Sequence, residues 1–207
     1  MAFIKAHSLR SIAVALLALT VVSVAAMPGS SAEGDSLAGQ LLVASPDIGD
    51  PRFAHAVILM LRHKSGGAVG IVINRPIEER TFASLLQAIG DDAGDVEGRV
   101  LLFAGGPVEP QAGFVLHSSD YHRDQTLEVT AGIAVTASRE TIRDIAHKKG
   151  PEKTLIAFGY AGWGPGQLES EMAQHSWFVA PADPALVFDD DRAALWQDAM
   201  ARRRRAL

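Results

Sequence analysis

Two apolar runs, Ala56–Leu61 (AVILML) and Ala68–Ile73 (AVGIVI), are rich in β-branched residues and stand either side of Ser65-Gly66-Gly67. A short run with no polar alternation reads as a strand buried on both faces, so the pair predicts an antiparallel hairpin at the centre of a sheet. Further strands are expected at Gln40–Ser45, Val100–Ala104, Phe114–His117, Leu127–Thr130, Ile133–Thr136 and Thr154–Phe158, with an edge strand at Trp177–Val179. Helical spacing is confined to Thr81–Ile89 with Thr81 as N-cap, Arg139 to about Lys148 after Ser138, Gln167–Gln174, and Arg192–Arg203 behind Asp189-Asp190-Asp191. Strands that follow one another without intervening helices argue against a doubly wound parallel sheet. They predict a single α+β domain with a mixed, largely antiparallel sheet over Leu37–Met200.

The ends of the chain differ from this body. Lys5 and Arg10 precede an uncharged run of 15 residues, Ile12–Ala26, followed by Met27-Pro28-Gly29-Ser30-Ser31-Ala32. That is the layout of a secretory signal peptide over residues 1–32, shorter than the ~20 residues of a membrane-spanning helix. Cleavage after Ala26 or Ala32 would release an exported, periplasmic protein; initiation at Met27 would give a cytoplasmic one, and membrane contact would come only through an uncleaved leader. Residues 201–207 form a tail with four arginines, Arg202–Arg205. Between Met27 and Ala201 thirteen positive side chains face twenty-four negative ones, a net −11, which disfavours nucleic acid as a partner. With no cysteine, disulfides, thiolate metal sites and a cysteine nucleophile are excluded.

Several stretches could carry chemistry. Phe158 to Glu171 (FGYAGWGPGQLESE) reads as a buried strand, a glycine-dense turn and a helix. The amides of such a turn can cradle an anion. The spacing of Gly162, Gly164 and Gly166 fails the dinucleotide fingerprint, however, and Glu169 and Glu171 would repel phosphate. Glycines that supply positive φ and let Trp163 pack over the turn are the plainer account. Asn74-Arg75-Pro76 and Gly105-Gly106-Pro107 leave strand ends, as binding loops or as turn chemistry. The run from His117 to Asp124 gathers two imidazoles and two carboxylates in no zinc spacing, and Ser118 and Ser119 lie outside a nucleophile elbow. Asp47, Asp50 and His55 read as a turn flanked by prolines.

Six segments in order, GQLLVASP from Gly39, DPRF from Asp50, GIVINRP from Gly70, GGPV from Gly105, GFVLH from Gly113, and GYAGW with GQLE from Gly159 and Gly166, resemble the bacterial YqgE/AlgH family. The resemblance spans roughly Leu37–Met200 and implies a branched sheet curled into a pseudo-barrel flanked by helices. It implies no established catalytic residues or cofactor. Members have been linked to transcriptional regulation, yet this chain has no helix-turn-helix pattern. Its leader and arginine-rich end depart from the family's usual form. The expected function is a non-catalytic binding or regulatory module, for a protein or small-molecule partner. Its surface would be drawn from Asn74, Arg75, Gly105, Gly106, His117, Gly162, Trp163, Gln167 and Glu169. The alternatives are a hydrolase or transferase using His117, Glu169 and Glu171, or a transcriptional regulator.

Overall fold

The two apolar runs form the hairpin they predict. In this computed structural model, which describes residues 36–204, β1 is Gln40–Ala44, β2 Val57–Lys64, β3 Gly67–Val72, β4 Pro76–Thr81 and β5 Arg99–Ala104. They are followed by β6 (Val108–His117), β7 (Thr126–Thr130), β8 (Ile133–Thr136), β9 (Thr154–Trp163) and β10 (Trp177–Pro181). The helices are α1 (Phe82–Ala88), α2 (Arg139–Ala146), α3 (Gln167–Ala173), α4 (Pro184–Val187) and α5 (Leu195–Ala201). The expected leader and residues 205–207 of the tail lie outside the described residues. No described helix is long and apolar enough to cross a membrane.

The order across the sheet is β10, β1, β2, β3, β9, β6, β8, β7, with β5 and β4 branching from β9. The branch arises because β9 shares one edge between two partners. Its first half pairs in parallel with β5, from Leu102↔Ile156 to Ala104↔Phe158, and its second half antiparallel with β3, from Gly70↔Ala161 to Ala68↔Trp163. β6 runs antiparallel along the other edge. The mixed, mostly antiparallel sheet curls into a half-barrel. Alternate residues of β1 to β3 enter different cores. Leu41, Leu59 and Ile71 pack under α4 and α5, whereas Leu42, Ile58 and Met60 pack with Trp163, Trp177 and Leu168 of α3. Helices α1 and α2 cover Leu102, Val115 and Ile156 in a third cluster.

The structure differs from the sequence expectation where side chains are polar or glycine-rich. β4 (PIEERT) was not foreseen: it is almost wholly exposed, pairs only with β5, and carries a cross-strand Glu79–Arg99 ion pair at 2.7 Å. β6 begins six residues before Phe114, and β9 runs through Gly159 to Trp163, so the expected glycine turn is largely strand. Thr81 caps α1, its hydroxyl accepting from the Ser84 amide at 3.1 Å. Ser138 occupies the N-cap position of α2 but gives its hydroxyl to the Glu140 carboxylate instead. α4 was also unforeseen; it starts at Pro184 with Asp183 accepting from the Ala185 amide at 2.9 Å. α5 begins at Leu195 and not Arg192: residues 192–194 form turns, with Asp191 accepting from the Ala194 amide at 3.1 Å.

Candidate functional site

The expected surface residues fall in three places. His117 pairs with Thr154 at the start of β9, whereas Trp163 ends the strand nine residues on, ~30 Å away at strand rise. Trp163 pairs with Ala68 at the start of β3, and Asn74 lies six residues beyond Ala68, ~20 Å along the chain.

His117 is fully buried and so is no surface contact. Its Nδ1–H donates to the Ser118 carbonyl at 2.9 Å, and its Nε2 accepts the Thr136 hydroxyl at 2.8 Å. The Thr136 oxygen accepts from Thr126 at 2.8 Å, and Thr126 accepts from the Arg123 amide at 2.9 Å. A neutral ring with its proton on Nδ1 satisfies every member of this chain. The polar side chains that follow are ties as well. Asp120 accepts from the Ser118 hydroxyl and from the Glu152 amide, bonds that hold its carboxyl below the usual value, the hydroxyl foremost. Tyr121 and Arg123 both engage Asp144. Among the described residues no group of three His, Asp or Glu is placed to hold a metal ion.

Asn74 and Arg75 fasten the loop before β2. The Asn74 side chain donates to the His55 carbonyl at 2.8 Å and accepts from the Val57 amide at 2.9 Å, while Arg75 donates to the carbonyls of Arg52 and Ala54. Gly105 and Gly106 lie at the branch of the sheet. The Gly105 amide donates to Phe158 at 2.7 Å, and its carbonyl accepts from Val72 at 2.8 Å, joining β3 to β9. At Gly106, with φ +154, a Cβ would fall 2.1 Å from the Tyr160 carbonyl carbon. Two backbones touch there, which leaves no cradle for a ligand.

The third place joins the end of β9, α3 and the β2–β3 turn, and it brings Trp163, Gln167 and Glu169 together, while Gly162 opens to the opposite face of the sheet beside Tyr160 and Val108. Gly162 is a strand residue paired with Val69, and its φ is outside the left-handed region. The turn reduces to Gly164-Pro165-Gly166, with Gly166 at φ +72 ahead of α3. Trp163 and Trp177 meet edge to face at 5.9 Å, and both indole N–H groups donate to the same Glu171 oxygen, at 2.9 and 2.8 Å. The other Glu171 oxygen accepts from Gln167 at 2.9 Å. This carboxylate clamps α3 to the sheet.

Two residues before Glu171, Glu169 meets His63 of β2 at 2.9 Å. His63 Nδ1 accepts the Leu37 amide at 3.2 Å, so its Nε2–H is the donor to Glu169. The bond to its own amide at the start of α3, with the His63 contact, holds the Glu169 carboxyl below its usual value. The pairing resembles a carboxylate–imidazole dyad, but both ring nitrogens are engaged and no lone pair remains to accept a substrate proton. His63 was missed in the sequence because its partner is 106 residues away and the alternating strand gives no cue. His117, Glu169 and Glu171 do not converge. Gln167 and Glu169 are exposed around this clamp, on the side of the Lys64–Gly66 tip. The best-formed concavities, of about 350 Å³ beside Asp95 and His147 and about 220 Å³ beside Gln125 and Glu140, lie elsewhere.

A family model described as AlgH-like matches residues 41–206. A UPF0301 protein of Sphingopyxis alaskensis is 47% identical over 164 residues, covering 79% of this chain and 87% of that one. A UPF0301 protein of Caulobacter vibrioides is 42% identical over 172 residues, covering 82% and 88%. The solution structure of the AlgH protein from Pseudomonas aeruginosa is similar at 38% identity and a TM-score of 0.70, over 84% of this chain and 92% of that one. A crystal structure of a Corynebacterium diphtheriae protein, 23% identical with a TM-score of 0.64 over 80% and 86% of the chains, shares the fold.

Proposed function

Because the chain belongs to the AlgH-like family of uncharacterised proteins, we propose that it is a non-catalytic binding module whose recognition surface is the α3 end of β9. One observation carries this reading: Glu171 and His63 are spent within the fold, and the exposed Glu169 carboxylate has neither of them free to share acid–base work. Glu171 accepts from two indoles and an amide, and both ring nitrogens of His63 are occupied. What faces solvent on the α3 side is a rigidly backed polar surface, with Gln167 and Glu169 above buried Trp163 and Leu168, whereas Gly162 opens to the other face of the sheet beside Tyr160. Such a surface suits a protein partner more than a small molecule, which favours an enclosed pocket.

A photo-reactive amino acid placed at the exposed Ser170 of α3 in cells tests the reading. It should give one discrete protein adduct that disappears on Gln167→Arg with Glu169→Arg, while the same group at Arg139 on α2 gives none. Identical adducts from both positions, or none from Ser170, would contradict the assignment.

A further inference from the structure

After α5 the chain turns back along β10, and the Arg204 amide donates to the Val179 carbonyl at 2.8 Å. Arg202, Arg203 and Arg204 are exposed, so the end of the described chain is a strap of cations held on the sheet edge. The Arg203 guanidinium lies 5.4 Å over the half-buried Phe178 ring and donates to the Met200 carbonyl at 2.7 Å. Arg202 reaches Asp183 at 3.5 Å, with both side chains about half exposed, 47% and 50%. A water-exposed pair of that kind is weak and yields readily to a competing anion. The strap is thus a local cationic edge on a body of net charge −11.

We propose that this strap is a contact site for the anionic headgroups of a phospholipid bilayer. Three exposed arginines fixed on one edge match an interface in which guanidinium groups meet lipid phosphates. Single-stranded nucleic acid is the poorer match, because no exposed aromatic side chain alternates with the arginines to stack bases. Topology adds an independent reason. Val179 pairs with Leu42 of β1, and Leu42 is only three residues, ~10 Å at strand rise, from Gly39, where the described chain enters the sheet. The chain therefore enters and leaves the domain on the same side. A bilayer lying on that side of the domain would meet the strap.

Vesicle co-sedimentation of the full chain tests this. At 50 mM salt, vesicles of ~30% phosphatidylglycerol in phosphatidylcholine should bind at least tenfold more tightly than phosphatidylcholine alone, and the difference should vanish at 500 mM salt. Substituting Arg202, Arg203 and Arg204 by Gln should cost about fivefold per arginine. Substituting Arg139, Lys149 and Lys153 by Gln, an equal loss of charge on the α2 side, should leave lipid binding unchanged. The leader is common to all three proteins, so their differences isolate the strap. If the triple variant fails to fold by circular dichroism, Arg203→Gln with Arg204→Gln, which keeps the Arg202–Asp183 pair, makes the same comparison. Equal binding to both vesicles, an unaffected strap variant, or equal loss in the α2-side variant would overturn the proposal. Tighter binding to a short DNA duplex than to the anionic vesicles would overturn it too, and would assign the strap to nucleic acid.

Discussion

Gly106 and Gly162 are both glycines of the sequence motifs, and their surroundings predict opposite responses to substitution. A Cβ at Gly106 would press within 2.4 Å of the Tyr160 and Ala161 backbone, where nothing can yield without parting the branch. Gly106→Ala should cost ~3 kcal/mol or more, or prevent folding, as read by urea unfolding. At Gly162 the nearest atom to a Cβ is the Tyr160 ring at 3.3 Å, a movable side chain. Gly162→Val should therefore stay within ~1 kcal/mol of the parent, since strands accept β-branched residues. A destabilised Gly162→Val would restore the turn reading that its place in β9 removes. Glu171→Ala strips the shared acceptor from two buried indoles and should cost ~3 kcal/mol with a red-shifted tryptophan emission. Glu169→Gln, at an exposed pair, should cost less than ~1 kcal/mol.

Among the elements, β9 has partners on both edges along most of its length, whereas β4 has one partner and almost no buried side chain. Hydrogen exchange should accordingly be slowest in β9 and fastest, among the strands, in β4; equal protection would show that the branch opens as one unit. The same contrast explains what could be read in the sequence. β2 and β3 were legible because burial on both faces leaves unbroken apolar runs, and α1 because Thr81 marks its start. β4 was hidden because pairing with β5, and not its own side chains, makes PIEERT a strand. β9 was cut short at Phe158 because Gly159 and Gly162 imitate a turn, although Gly159 is there to let β6 and the 105–106 segment approach. At the α3 surface the sequence picked out Trp163, Gln167 and Glu169, but it also placed there Gly162, which strand alternation turns to the other face. It missed His63 and Trp177, which reach their partners only through the tertiary fold.

For the molecule as a whole, the pattern is of charged groups used as internal ties. Hydrogen bonds, chiefly from Arg52 to Asp50, from Ser138 to Glu140 and from Ser118 to Asp120, hold these carboxyls below their ordinary values of 3.8 for Asp and 4.5 for Glu. Asp144 is also low: burial pushes it up, but Arg123 and Tyr121 together outweigh that. A carboxyl depressed by folding adds stability above its unfolded value and loses it as pH falls through the folded one. The midpoint of thermal unfolding should therefore be flat down to about pH 5 and drop as pH falls through 4 and below, less steeply in Asp144→Asn. His63, His117 and Glu171 thus hold the fold together and offer no free group to a substrate. Imidazole ¹⁵N spectra of the parent, His63→Gln and His117→Gln proteins at pH 8 test it most directly. The account predicts two fixed and opposite tautomers, His63 protonated on Nε2 and His117 on Nδ1; a rapidly averaging tautomer mixture at His63 would mean a ring free to take a proton, and would contradict it.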